Sequence, residues 1–186
     1  MKSVLISIQP KWCELIASGK KTIEVRKTKP KLETPFKVYI YCTKNTFDIR
    51  YSDSAKHWQQ NACGKVIGEF ICDGITGGFW ITPFADYLQK QSCLSYREVW
   101  DYSNRKPIFA WHISNLVIYD KPKELGEFMK CKYPFDCCAC DYWDSIYLTC
   151  NKPIRPPQSW CYVESGATDT NVGDKSRGGN GNEKKP

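Results

Sequence analysis

The stretch Gly19-Lys20-Lys21-Thr22-Ile23-Glu24-Val25-Arg26 decides how the chain is interpreted. The residues before it, 10–18, begin with proline and place apolar side chains at i, i+3 and i+4, the spacing of one helix face. Gly19 can adopt the positive φ that commonly ends a helix. From Thr22 onward, polar and apolar residues alternate, which predicts a strand with Glu24 and Arg26 on one face. The stretch is therefore predicted to join a short amphipathic helix to a strand.

The rest of the chain predicts a small α+β domain built from short strands. The capping-box spacing from Ser95 to Glu98 predicts a helix that runs to about Asn104, and Gly77-Gly78 predicts a turn. Trp160 is predicted to anchor the proline-rich segment before it onto the domain. The further predicted strands are rich in β-branched and aromatic residues: Ser3–Gln9, Phe36–Cys42, Lys65–Cys72, Ile108–Tyr119 and Ser159–Val163.

The positive charge of the chain is concentrated near its start. The 186 residues contain 27 Lys and Arg and 20 Asp and Glu, a net charge of +7. Residues 1–50 hold 11 of the basic and 4 of the acidic residues, so the whole excess lies there. Such a concentration is typical of a surface that binds a polyanion such as nucleic acid. It is also what a solvated lysine-rich face would show.

Two further expectations concern the location of the protein. The longest apolar runs, such as Ile108 to Trp111, are far too short to cross a bilayer, so no membrane association is predicted. The segment after Met1 lacks the features of a secretory signal, which predicts a cytoplasmic protein. Its eleven cysteines are then expected to be thiols or metal ligands. The sequence indicates no oligomeric state.

The order Gly-x-Lys-x-x-Glu-x-Arg after a Trp-bearing helix, followed by a Lys-rich loop, resembles the ASCH domain. ASCH domains (activating-signal-cointegrator homology) are related to the PUA-like RNA-binding barrels, and the resemblance covers roughly residues 1–119. It implies a small PUA-like mixed β-barrel with two or more short helices, over residues 1–122. Residues 123–163 would form a Cys-rich extension that returns to the barrel. Residues 164–186 contain no aromatic side chain and are predicted to be a disordered tail.

The resemblance implies an RNA or modified-nucleotide binding cleft built on the motif. Lys21 and Arg26 would meet phosphate, Glu24 a base edge, and an aromatic ring would stack on the base. The expected contacts are the charged and glycine positions of the motif and three aromatic residues: Gly19, Lys20, Lys21, Glu24, Arg26, Trp12, Tyr39 and Tyr41. A second interpretation is that Glu24 pairs with Arg26 or Lys21 only to brace the helix–strand junction.

Two further functions are carried as alternatives. Similar proteins include amidohydrolases of acetylated cytidine, in which a Lys matches Lys21 and a nucleophilic Thr stands where this chain has Glu24. A hydrolase here would have to use Thr22, activated by Lys21, with Glu24 as acid and base. A ribonuclease would use Glu24 as base and Lys21 or Arg26 to stabilise the phosphorane. The third class is a protein-interaction module that acts through the C-terminal residues.

A cluster of cysteines lies in the predicted extension. Four of them could bind a structural zinc as thiolates, since Cys137-x-x-Cys140 has knuckle spacing and Cys131 and Cys150 lie nearby. The alternative is that these cysteines are ordinary small apolar side chains, because the second Cys-x-x-Cys pair is missing. Zinc is the one cofactor that the sequence suggests.

Overall fold

The computed structural model describes residues 2–44, 61–79, 86–128 and 155–164. The strands are β1 (Lys2–Ile8), β2 (Ile23–Arg26), β3 (Phe36–Cys42), β4 (Val66–Cys72), β5 (Ile75–Phe79), β6 (Ile108–His112), β7 (Ser114–Lys123) and β8 (Trp160–Glu164). The helices are α1 (Pro10–Ala17), α2 (Asp86–Ser92) and α3 (Tyr96–Ser103), with a 3-10 turn at Leu125–Glu127. The strands form one sheet in the order β7-β4-β3-β1-β8 and another in the order β2-β6-β5.

The predicted helix–strand junction is confirmed. Pro10 is the first residue of α1, where its missing N–H leaves no hydrogen bond unmade. Gly19 has φ +71°, and its N–H donates to the carbonyl oxygen of Ile16 at 2.9 Å. The helix therefore ends where a residue without a side chain is needed. The predicted capping box at the start of α3 is also present, with Ser95 and Glu98 bonded reciprocally.

The predicted long strand from Ile108 to Tyr119 is in fact two strands in two different sheets. The chain leaves the three-stranded sheet after His112 and enters the five-stranded sheet at Ser114. Between them, the N–H of Ile113 donates to the carbonyl oxygen of Thr22 at 2.9 Å. The predicted closed barrel is not formed by the strands in the described ranges. They make two sheets joined by this crossing.

The predicted turn at Gly77-Gly78 is wrong, because both glycines belong to β5. Their φ values are +142° and +90°. The backbone of β6 lies so close that a Cβ atom on Gly77 would collide with the carbonyl oxygen of Ile108. These glycines permit a close approach of two strands, a role that a local sequence pattern does not separate from a turn. Helix α2 was not predicted either.

The central strands of the five-stranded sheet, β1 and β3, are buried on both faces. One face packs in the main core with the fully buried Ile6, Ile40, Phe70 and Trp111. The other face carries a second set of side chains around Leu5, Tyr39, Tyr41 and Leu125. A third cluster, which includes Val25, Leu88 and Val99, joins β2 to helices α2 and α3. Strand β1 pairs in parallel with β3 and antiparallel with β8, so it lies inside the sheet.

Several sequence predictions concern residues that the structure does not describe. The four cysteines proposed as zinc ligands (Cys131, Cys137, Cys140 and Cys150) and residues 165–186 lie outside the described residues. Among the residues that are described, no group of three or more His, Cys, Asp or Glu is placed to hold a metal ion. That same part of the chain contains no helix with the length and apolar character needed to span a membrane.

Candidate nucleotide-binding cleft

A cleft of about 790 Å³ opens beside the motif. Its floor is formed by Lys21, Glu24 and Arg26. Its walls come from α1, α3, the loop after β2 and the segment before β8, which supply Lys11, Trp12, Glu98, Asp101, Tyr102, Lys27, Thr28, Gln158 and Ser159. The cleft thus brings together residues that are far apart in the sequence, and three of the motif's charged positions lie at its base.

The floor is a chain of three charged side chains. Oε1 of Glu24 lies 3.0 Å from Nη2 of Arg26, and Oε2 lies 3.4 Å from Nζ of Lys21. The exposed fractions of Lys21, Glu24 and Arg26 are only 2%, 6% and 8%. Because the carboxylate neutralises one of the two cations, the floor keeps a net charge of +1. The ion pairs expected from the bracing interpretation are present. A cleft also opens above them, and its binding role stays a prediction.

Hydrogen bonds to neighbouring backbone fix the two cations. Lys21 Nζ donates to the carbonyl oxygen of Ser92, the last residue of α2, at 2.6 Å. Arg26 Nη2 donates to the carbonyl oxygen of Ser7 in β1 at 2.6 Å. These contacts link the motif to a helix and to the other sheet. The floor is therefore rigid, with its charges placed before any ligand arrives.

The guanidinium of Arg26 retains unused hydrogen-bonding capacity. Its Nε is buried and has no hydrogen-bond partner within the described part of the chain. Its Nη1 makes one long contact, 3.4 Å, to Oγ of Ser159. A buried donor without a partner costs about 1–3 kcal/mol. Because Nε has almost no accessible surface, an acceptor oxygen in the cleft would instead compete for Nη1, whose contact with Ser159 is long.

Two aromatic side chains line the cleft. Trp12 is in contact with two ammonium groups, since Nζ of Lys11 and of Lys21 lie 4.1 and 5.1 Å from its ring centroid. Tyr102, on α3, also lines the cleft, with 38% of its surface exposed. Burial of the Tyr102 ring raises the pKa of its hydroxyl, although the charge of Arg26 acts to lower it. Tyr102 is thus a neutral ring at the mouth of the cleft.

Sequence reasoning did not identify Tyr102, Glu98 or Asp101 as site residues. The capping box predicts the helix that carries them, and Val99 and Ser103 mark its buried side. The remaining positions could face either the cleft or the solvent, because the sequence does not show which flank of a surface helix borders a cavity. The charge of the walls is mixed, with Lys11 and Lys27 against Glu98 and Asp101.

The structure does not bring all the predicted contacts to the cleft. Tyr39 and Tyr41 are 4% and 3% exposed and belong to the cluster on the far face of the five-stranded sheet. Tyr39 packs against Phe128 there, with ring centroids 4.8 Å apart. They face away because side chains alternate along a strand, and Val38 and Ile40 point to the main core. These two tyrosines are not stacking surfaces for a ligand in the cleft.

Gly19, Lys20 and Thr22 also lie outside the residues that line the cleft, and all three are exposed. A Cβ atom on Gly19 would meet nothing within 4 Å, so its function is to end α1 and not to admit a ligand. Strand β2 begins at Ile23, one residue after Thr22. Thr22 instead uses its backbone N–H to bond the carbonyl oxygen of Gln91, at 2.9 Å.

The contact of His112 fits a structural role. Its Nε2 lies 3.0 Å from Oγ1 of Thr76 on the neighbouring strand β5. The predicted anchoring of Trp160 is present as well. Its Nε1 donates to Oγ1 of Thr28 at 3.0 Å, and its ring packs against the main core.

Comparison with known proteins identifies a family and a fold. The ASCH domain matches residues 6–123. The structure is similar to the crystal structure of ASCH from Zymomonas mobilis, with a TM-score of 0.57 and 21% identity over 88% of each chain. A tyrosine-to-phenylalanine mutant of that protein aligns with a TM-score of 0.58 and 20% identity, over 89% of this chain and 92% of that chain. A search of curated proteins gave no match.

Proposed function

The chain belongs to the ASCH domain family, and on that premise we propose that it binds single-stranded RNA and takes one nucleotide into the cleft above Lys21, Glu24 and Arg26. The observation that carries the proposal is the buried floor of the cleft, which has a net positive charge and a weakly bonded Arg26 Nη1. The cleft volume of about 790 Å³ is within the range of about 300–1,000 Å³ that is usual for small-molecule sites.

Each wall has a chemical counterpart in a nucleotide. Arg26 offers donors to acceptor oxygens, and Lys27 offers a charge at the mouth for phosphate. The ring of Tyr102 provides a stacking surface, which is how unpaired bases are commonly held. The carboxylates of Glu98 and Asp101 would accept hydrogen bonds from hydroxyl or amino groups. A nucleotide carries all of these groups, whereas a simple anion would use only the cations.

The catalytic alternatives have less support from the geometry. Thr22 is exposed and is not among the described residues that line the cleft, so it is poorly placed as a nucleophile for a ligand there. Both carboxylate oxygens of Glu24 already contact cations. For Glu24 to accept a proton from a substrate, one of these contacts would first have to break. The binding role requires no such rearrangement.

Fluorescence anisotropy with a fluorescein-labelled single-stranded RNA of mixed sequence tests the proposal. The Tyr102→Ala variant should bind about 5- to 150-fold more weakly, because stacking of one base is worth about 1–3 kcal/mol. Tyr96→Ala is the matched control, since Tyr96 is an exposed tyrosine on the same helix that does not line the cleft. It should bind like the wild type.

Two results would overturn the proposal. One is an absence of salt-dependent RNA binding by the wild type, and the other is an equal loss of affinity in the Tyr102 and Tyr96 variants. Incubation of the bound RNA, followed by gel analysis, separates binding from catalysis. Accumulation of cleaved RNA that depends on Glu24 would favour the ribonuclease alternative.

A further inference from the structure

We infer that the segment before β8, from Pro157 to Ser159, which lies beyond the ASCH match, is a fixed wall of the cleft and that Ser159 contacts the ligand. This inference rests on the proposed function and extends it. The family match ends at residue 123, yet Gln158 and Ser159 line the same cleft as the motif residues. The chemical class that Ser159 and Arg26 would bind together is an acceptor oxygen of the nucleotide.

The segment is held in place by β1. The N–H of Ser7 donates to the carbonyl oxygen of Ser159 at 2.9 Å. The hydroxyl of Ser7 donates to the carbonyl oxygen of Pro157 at 2.6 Å. Beyond these contacts, β8 continues the antiparallel pairing with β1 from Trp160 to Glu164. Ser159 is therefore fixed by its backbone, and its side chain is left to face the cleft.

The hydroxyl of Ser159 complements Arg26. Its Oγ accepts the long 3.4 Å contact from Arg26 Nη1, and it still carries a proton to donate. An oxygen bound between the two residues would accept from the hydroxyl and the guanidinium together. Neither residue alone offers this combination of a neutral and a charged donor.

Strand β8, which follows Ser159, positions the basic loop after β2. Trp160 Nε1 donates to Oγ1 of Thr28 at 3.0 Å, and the N–H of Lys31 donates to the hydroxyl of Tyr162 at 2.7 Å. Lys27 precedes these anchored residues and lines the mouth of the cleft. Trp160 and Tyr162 thus act as positioning residues for the cationic side of the cleft.

Three variants test the role of Ser159 in the labelled-RNA assay. Ser159→Ala should weaken binding about 2- to 10-fold, the loss expected for one hydrogen bond. Ser159→Thr keeps the hydroxyl and should restore the affinity to within about twofold. Cys161→Ala is the control, because Cys161 packs on the far side of the sheet from the cleft. It should leave the affinity unchanged.

Competition with uridine monophosphate and with uridine identifies the oxygen. If Ser159→Ala weakens the binding of uridine monophosphate but not of uridine, the oxygen belongs to the phosphate. If it weakens the binding of both competitors equally, the oxygen belongs to the base or the sugar. Either pattern supports the inference. An alanine variant that binds RNA and both competitors like Cys161→Ala would overturn it.

The positioning role has a separate readout. Trp160→Phe retains a ring for packing but loses the hydrogen bond to Thr28, so the cationic loop should hold the phosphate less well. The dependence of log Kd on log salt should then become shallower, an effect that a general loss of stability would not produce. An unchanged slope would overturn this role. The wild type could bind RNA, and Tyr102→Ala could bind it more weakly, while the Ser159 and Trp160 variants bind like the wild type. In that case the inference about this segment fails and the proposed function stands.

Discussion

Glu24 and Arg26 form an ion pair of 3.0 Å in which less than a tenth of either side chain is exposed. Both residues belong to β2. The second carboxylate oxygen of Glu24, Oε2, lies 3.4 Å from Nζ of Lys21. Removing the charge of Glu24 would leave two buried cations facing each other without an anion between them. The same arrangement that gives the cleft its positive floor thus makes this carboxylate important for the fold.

We expect Glu24→Gln to lower the free energy of unfolding by about 3–5 kcal/mol, the usual effect of removing one partner of a buried ion pair. Urea denaturation followed by circular dichroism measures this loss. Asp101→Asn is the control, because the Arg97–Asp101 pair has a separation of 3.9 Å and is largely exposed. Such surface pairs contribute about 0–1 kcal/mol. A loss no larger in Glu24→Gln than in this control would contradict the structural role of Glu24.

Lys27→Gln should reduce both the affinity for single-stranded RNA and its salt dependence. One lost phosphate contact should lower the slope of log K against log salt by about 0.7, the value for single strands. Titrations between low and moderate salt with the labelled RNA give the slope. Lys90→Gln removes an exposed lysine from α2 that does not line the cleft, and it should keep the wild-type slope. Equal slopes for the two variants would argue against a phosphate near Lys27.

Gly19→Ala should destabilise the fold by about 1–2 kcal/mol, because φ at this position is +71° and residues with a Cβ atom avoid that region. No neighbouring atom would collide with the new Cβ atom, so the cost is conformational only. Gly19→Asn should cost less than Gly19→Val, since asparagine tolerates the left-handed region better. Urea denaturation of the three variants gives the ranking. The reverse order would contradict the helix-ending role of Gly19.

The carboxylate of Glu69, on the five-stranded sheet, should contribute to acid sensitivity. Burial raises the pKa of Glu69, but hydrogen bonds from Tyr119 and Lys37 outweigh that effect and bring the pKa below its usual value. Because the pKa is lower in the folded state, this stabilisation is fully present above the unfolded pKa of about 4.3. It is lost as the pH falls through the folded pKa.

Unfolding free energies of the wild type and Glu69→Gln, measured from pH 2 to pH 7, test this prediction. The difference between the two proteins should be constant above about pH 5 and should shrink toward lower pH. Tyr119→Phe removes the 2.7 Å hydrogen bond that the Tyr119 hydroxyl donates to Oε2 of Glu69. It should therefore reduce the contribution of the Glu69 carboxylate to the free energy of unfolding. A difference that does not change with pH would show that Glu69 has the same pKa in both states.

Local patterns predicted local structure well in this chain. The proline at the start of α1, the glycine after it and the capping box at Ser95 are short-range signals, and each has the predicted role. The closing strand expected at Ser159–Val163 is present as Trp160–Glu164. The family resemblance drawn from the motif is confirmed by the match over residues 6–123.

Apart from the unpredicted helix α2, the failures involve contacts between distant segments. The crossing at Ile113 carries no decisive local signal, because the polar–apolar–polar run His112-Ile113-Ser114 also fits one continuous strand. The alternation along β3 predicts two faces but does not reveal that Tyr39 and Tyr41 are covered by Leu125 and Phe128. Likewise, the contact of Ser159 with Arg26 joins positions 133 residues apart, and nothing in either segment predicts their meeting.

The pairing of β1 with β8 has a consequence for how the protein is made. A ribosome synthesises β1 first, but the partner on its open side, Trp160–Glu164, follows about 150 residues later. Until then β1 has an unpaired edge, a feature that promotes aggregation of nascent chains. Gln158 and Ser159 are also missing from every shorter translation intermediate, so the cleft is complete only after this last segment has been synthesised.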